Sequence, residues 1–132
     1  MERRDIIKDE IERLGQVLGM ILARLIGKNP DYQEAESYIE EQFSEKLGFD
    51  FTSLDQMDDK ELLHYLIDER QFSYENLEQL SQIFEYQAKK SSSKKSFQKS
   101  LMLLKYVHDH DSTFSFEREA RIQEISNKVE LL

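Results

Sequence analysis

The chain holds three histidines, and each stands near acidic side chains in a spacing that could do chemistry. Glu61-Leu-Leu-His64 places a carboxylate and an imidazole three residues apart, on one face of a helix, as in the dimetal sites of helical bundles. Such a site needs two of these motifs and two further glutamates from facing helices, and the sequence offers one motif. His108-Asp109-His110-Asp111 is the second run, with imidazoles and carboxylates that suit several transition ions. It falls where a helix is expected to end. A histidine there favours the helix dipole, and Asp-Ser-Thr opens a turn. The chain has 27 acidic residues, so a histidine near a carboxylate is unremarkable. The expectation is no metal site, at Glu61 and His64 or at His108 and His110.

Other chemistries lack their residues. Zero cysteines remove thiolate zinc sites, disulfides and cysteine nucleophiles. No glycine-rich loop follows a strand to cradle phosphate, and no serine is paired in sequence with a histidine and an acid. No catalytic residue and no cofactor is therefore expected, and the chain reads as a non-enzyme. Lys89 to Lys99 holds five lysines in eleven residues, which could meet an acidic partner or nucleic acid. Within that tract, residues 89–96, Lys-Lys-Ser-Ser-Ser-Lys-Lys-Ser, read as a solvated Lys/Ser loop or a frayed helix end. The formal net charge of −9 argues against a nucleic-acid binder, because affinity there comes from neutralising phosphates.

The elements that must position these residues are helices. The 132 residues include four glycines and one proline, too little punctuation for a sandwich or barrel. The expected fold is all-α: about six helices in one domain, 1–132, stacked as antiparallel hairpins in a tetratricopeptide-like array or a bundle. A long first helix spans 3–26, with Ile7, Ile11, Leu14, Leu18, Ile21 and Leu25 as a heptad seam, widened by Ile6, Val17, Leu22 and Ile26. Gly15 and Gly19 clear a path for a neighbouring helix, and Gly27 and Asn29-Pro30 mark its end and the next start. Helical hairpins follow over 30–88, joined by an irregular connector from Phe49 to Met57 whose Phe49, Phe51 and Leu54 tuck under the helices. Asp58 and Ser73 are expected caps, and Leu77, Leu80, Ile83, Phe84 and Ala88 an inner stripe. A C-terminal hairpin covers 97–131. Phe97, Leu101, Leu104 and Val107 face inward on its first arm. Ser115 caps the second, which buries Phe116, Ala120, Ile122, Ile125 and Val129. The apolar run from Val17 to Ile26 covers about 15 Å of helix, half a bilayer core, so no stable membrane insertion is expected. Acidic residues precede the run and no export signal is legible, which suggests a cytoplasmic protein.

A repeat is hidden in the spacing. Ile11-x2-Leu14-Gly15-x2-Leu18 has the apolar-and-small pattern of a tetratricopeptide first helix, and Leu77-x2-Leu80-Ser81-x2-Phe84 repeats it 66 positions later. The second-helix pattern recurs after 65: Tyr32-x2-Ala35 with Ile39, and Phe97-x2-Ser100 with Leu104. A small residue lets two antiparallel helices close while the aromatic one turn earlier seals the pair. The intervals of 17 and 16 residues between the two small-residue motifs are longer than in the standard repeat.

Asp5-Ile6-Ile7, Ile11-Glu-Arg-Leu-Gly15, Tyr32-Gln-Glu-Ala-Glu36, Leu47-Gly-Phe-Asp-Phe51 and Asp58-Asp-Lys-Glu-Leu-Leu63 together resemble a family of small uncharacterised bacterial proteins with degenerate tetratricopeptide-like repeats. The resemblance spans most of the first 85 residues and implies a helical array in a bacterial cytoplasm, with no catalytic residues. Function then divides three ways. A non-catalytic protein–protein interaction module would hold another protein or a peptide, with Tyr38, Tyr65, Tyr74, Tyr86 and Tyr106 as candidate contacts. A self-associating structural protein, a homodimer, would pair through Ile11, Leu14, Gly15, Leu18, Gly19 and Ile21. A metal-dependent enzyme would need a constellation that the sequence does not display.

Overall fold

The computed structural model describes residues 3–132, with side chains from residue 8 onward. Seven helices and no strand are present among the described residues: α1 (Arg3–Lys28), α2 (Tyr32–Gln42), α3 (Phe51–Gln56), α4 (Asp59–His64), α5 (Tyr74–Ser91), α6 (Lys94–His110) and α7 (Phe116–Leu131). The all-α class expected from composition is the fold. Ile6 and Ile7, expected on the first seam, have side chains outside the described ones.

Side-chain caps set most helix starts. Asp31, Asp58, Ser73, Ser93 and Ser115 each accept a hydrogen bond from the backbone N–H three residues on, satisfying a donor that the helix itself leaves free. Ser73 and Asn76 close a reciprocal box. Asp58, Ser73 and Ser115 were legible; Asp31 takes the place expected for Asn29. α1 runs through Gly27 to Lys28, and Asn29 adopts the left-handed backbone, at φ 45°, that ends it.

Two helices end in a widened turn. α2 continues as a π turn over Phe43–Leu47 and α4 as another over Tyr65–Glu69, each closed by a five-residue backbone hydrogen bond, Gly48 N to Phe43 O and Arg70 N to Tyr65 O, both 2.9 Å. Gly48, at φ 76°, and Gln71, at φ 59°, then reverse the chain. Both exits deliver a phenylalanine into the core. Phe49 and Phe72 come within 6.5 Å there, and Phe43 packs edge-on against Phe49 and Phe51.

α5 is the central helix, packing against α1, α2 and α6. Its expected stripe, Leu77 to Ala88, is buried throughout. Two connections and one helix face differ from expectation. The segment from Phe49 to Met57 is not wholly irregular, since it contains α3, whose Phe51 and Leu54 are buried. Of the two readings of 89–96, a Lys/Ser loop or a helix end, the long loop is absent and helix ends are present: α5 reaches Ser91 and α6 starts at Lys94. Ser92, left-handed at φ 54°, ends one helix and Ser93 caps the next, so the polar tract is two helix ends and a tight turn. Finally, Phe116 is 81% exposed, and Ala120 is exposed too. α7 is held by Ile125, with Ile122 and Val129 packed partly buried beside it as expected, and by ion pairs. Arg118 is 4% exposed and donates to Glu78 at 2.6 Å and to the Thr113 carbonyl at 2.8 Å, while Arg121 meets Glu85 at 2.9 Å.

Candidate binding groove

The residues singled out in the sequence do not assemble into one site. Leu14, Leu18 and Ile21, expected at a self-association seam, are at most 2% exposed because α5 of the same chain covers them. Gly15 and Gly19 face α5 as well: the Gln79 amide donates to the Gly15 carbonyl at 3.0 Å and lies beside Gly19. Ile11, at the start of the seam, is half-buried. Leu14, Leu18 and Ile21 are therefore core side chains and are not free to meet a second copy.

The five tyrosines scatter. Tyr38 lies under the Arg24 guanidinium, and Tyr65 accepts a hydrogen bond from Arg70 at 2.8 Å. Tyr86 donates to the Pro30 carbonyl at 3.1 Å, and burial pushes its phenol above the usual range. Tyr74 and Tyr106 alone come together, with ring centres 6.5 Å apart over a small apolar hollow lined by Ile67, Phe72 and Leu77.

The histidines also diverge. His64 pairs with Asp68 at 2.7 Å, one turn on, rather than with Glu61. His110 stacks on Tyr106, whereas His108 accepts from Arg118 at 3.4 Å and packs edge-on against Phe114. Among the described residues, no three histidine or carboxylate side chains form a group that could hold a metal ion.

A sizeable concavity lies elsewhere. It is an open groove of about 1020 Å³ between the α3–α4 turn, α6 and the end of α7. α6 builds one wall. Its inner face, with Phe97, Ser100, Leu103, Leu104 and Val107, is buried. Lys95, Lys99, Met102 and Lys105 recur at intervals of four, three and three, so they share a second helical face, and all four line the groove. Lys60 joins them from α4, and Met57, Leu101 and Val129 supply apolar lining. Asp58 and Asp59 stand on the opposite wall. Asp58 is already committed: its carboxylate accepts from the Glu61 N–H at 2.8 Å, which holds its pKa below the usual carboxylate range.

Lys99 is the unusual member. It is 4% exposed, and its ammonium donates to the Met57 carbonyl at 2.8 Å. An ammonium has three donors, and one hydrogen bond leaves it poorly compensated for lost water. Burial accordingly lowers its basicity, and Lys95 adds to the effect; Asp55, Asp59 and Asp58 oppose it without cancelling it. Among the described residues, none of Lys60, Lys95, Lys99 and Lys105 is in a salt bridge. A chain with a net charge of −9 thus presents four lysines in this one groove.

Sequence reasoning touched this surface only through the Lys89–Lys99 tract, as something that could meet an acidic partner, and did not see the groove. The signal was the spacing of Lys95, Lys99, Met102 and Lys105, which the Lys/Ser composition of the preceding residues disguised as a linker. Comparison with protein-family models, curated proteins and solved structures finds no match to this chain. Among the described residues, no helix is long and apolar enough to cross a membrane.

Proposed function

We propose that the chain is a non-catalytic protein-interaction module, of the tetratricopeptide-like kind that its paired small-residue motifs resemble. It holds a segment of a partner protein in the groove between α4, α6 and α7. The observation that carries this reading is the groove itself, with methionine, leucine and valine side chains beneath a rim of long polar ones. Apolar residues supply area to bury and polar ones fix register, as in other protein interfaces. At about 1020 Å³ the groove is at the upper end of small-molecule sites, and it is open along its length. Methionine lining adapts to varied side chains at low cost.

A photocrosslinking amino acid placed at Gln98, an exposed groove position, tests the reading against the same probe at Glu12, an exposed position of α1. In host cells the groove probe should yield one discrete adduct that the α1 probe does not. Equal adducts from both positions, or an adduct from α1 alone, would remove the groove as the binding surface.

A further inference from the structure

The chemistry of the groove specifies its occupant. We propose that it receives an acidic, aliphatic peptide segment, with a carboxylate of that segment completing the hydrogen bonds of Lys99. This rests on the groove as the binding surface and adds what fills it.

Three features of the groove carry the inference. Lys99 is a cation more than nine-tenths buried, with one protein hydrogen bond, to the Met57 carbonyl, and it lines the groove. A second acceptor of negative charge would offset the desolvation that its burial incurs. Lys60, Lys95 and Lys105 stand around it in no salt bridge among the described residues, so the local field opposes that of the molecule as a whole. The third is what else lines the groove. Met57, Leu101, Met102 and Val129 suit aliphatic side chains, and no aromatic ring is among the lining residues. Single-stranded nucleic acid is held by stacking on such rings as well as by charge. A long polyanion would also run out of the groove onto a molecule of net charge −9, whereas a peptide a few residues long stays within the lysines' reach. Asp58 and Asp59 set a limit on the same grounds: the carboxylates of the occupant must lie toward α6 and away from the α4 wall.

The experiment is a fluorescence anisotropy titration of the full chain with a short labelled peptide of alternating glutamate and leucine. Controls are the same peptide with glutamine or with lysine in place of glutamate, and labelled oligothymidine. The glutamate peptide should bind best, and more weakly as salt rises. Lys95→Glu with Lys105→Glu should weaken it about tenfold. Both side chains are exposed, so the fold survives the change. Lys99→Met keeps the buried stem, and should also weaken binding and reduce its salt dependence. If the glutamine or lysine peptide binds as tightly, and Met102→Glu abolishes that binding, the acidic specificity is wrong while the groove remains a docking surface. Tighter binding of oligothymidine overturns the proposal in favour of nucleic acid. If no peptide binds, or binding ignores all of these substitutions, both the occupant and the groove fall.

Discussion

The α1–α2 and α5–α6 pairs carry the same spacing of apolar, small and aromatic residues, yet they use it differently. In the second pair the small residues meet. Ser81 and Ser100 are both fully buried where α5 and α6 close, and the Ser100 hydroxyl donates to the Ser81 carbonyl at 2.7 Å. In the first pair Ala35 is buried on α2, but Gly15 and Gly19 turn toward α5, where Gln79 occupies the space they leave. Packing follows suit: α5 and α6 form the tightest helix pair, whereas α1 lies more against α5 than against α2. A small-residue motif therefore says where a helix is approached closely and not which neighbour approaches.

The sharpest way to break this comparison is at the α1 seam. Leu14→Glu with Leu18→Glu places two carboxylates among side chains at most 2% exposed. Each buried, unpaired charge costs several kcal/mol against a total stability typically of about 5–15 kcal/mol. The double variant should be unfolded by far-UV circular dichroism. A well-folded monomer would return the seam to the surface and restore self-association as its role.

The second pair should respond to size. Ser100→Leu forces a branched side chain into the fully buried contact between α5 and α6 and removes the Ser81 hydrogen bond, for a loss of about 3 kcal/mol in urea denaturation. Ser100→Ala loses only the hydrogen bond, about 1 kcal/mol. Equal costs for the two would mean that the serines do not set the helix separation.

A smaller effect separates the pairs by pH, because only α5–α6 is braced by α7. Glu85 is partly buried, which raises its pKa, but hydrogen bonds from Lys89 and Arg121 outweigh that and hold it below the usual carboxylate range. A carboxyl with a lowered folded-state pKa stabilises fully above its unfolded value, and the contribution is lost as pH falls through the folded one. Glu85→Gln should therefore destabilise by about 1 kcal/mol at neutral pH and leave a flatter acid limb than the parent chain. Parallel limbs for the two proteins would show that Glu85 does not brace α7.

The elements themselves were largely legible, for reasons that differ by residue. Leu77 to Ala88 follow a helical period with no competing signal, and Asp58, Ser73 and Ser115 cap helices because their side chains reach the third amide wherever a helix begins. Ser93 caps a helix by the same chemistry but sits among lysines and serines, where composition suggests a linker. Phe116 has the spacing of a buried residue but is exposed, while α7 docks through Ile125 and its apolar neighbours and through Arg118 and Arg121. Such long-range ion pairs carry no periodic signature. The groove divides along the same line. Its α6 wall is written in the period of Lys95, Lys99, Met102 and Lys105. The Met57 carbonyl that meets Lys99, and the α7 side chain of Val129, arrive only through tertiary packing.

The finest test lies at Gly15, where the two possible uses of a small residue predict opposite signs. If Gly15 made room for helix backbone, as Ser100 does for α5, an added methyl group would be costly. Its actual neighbours are side-chain ends. A Cβ at Gly15 would stand 3.5 Å from the Asn76 Nδ2 and 3.8 Å from the Gln79 Oε1, both ordinary contacts. At Gly19 the nearest atom is the Gln79 Nε2 at 3.5 Å. Gly15 lies within α1, where alanine is favoured over glycine by about 0.5–1 kcal/mol because it restricts the unfolded chain. Gly15→Ala should therefore stabilise the protein by roughly that amount, read as a higher urea midpoint at unchanged slope. Destabilisation would mean that α1 and α5 approach more closely at Gly15 than their side chains allow. The first pair would then share the closing device of the second, and the difference between them would be one of degree.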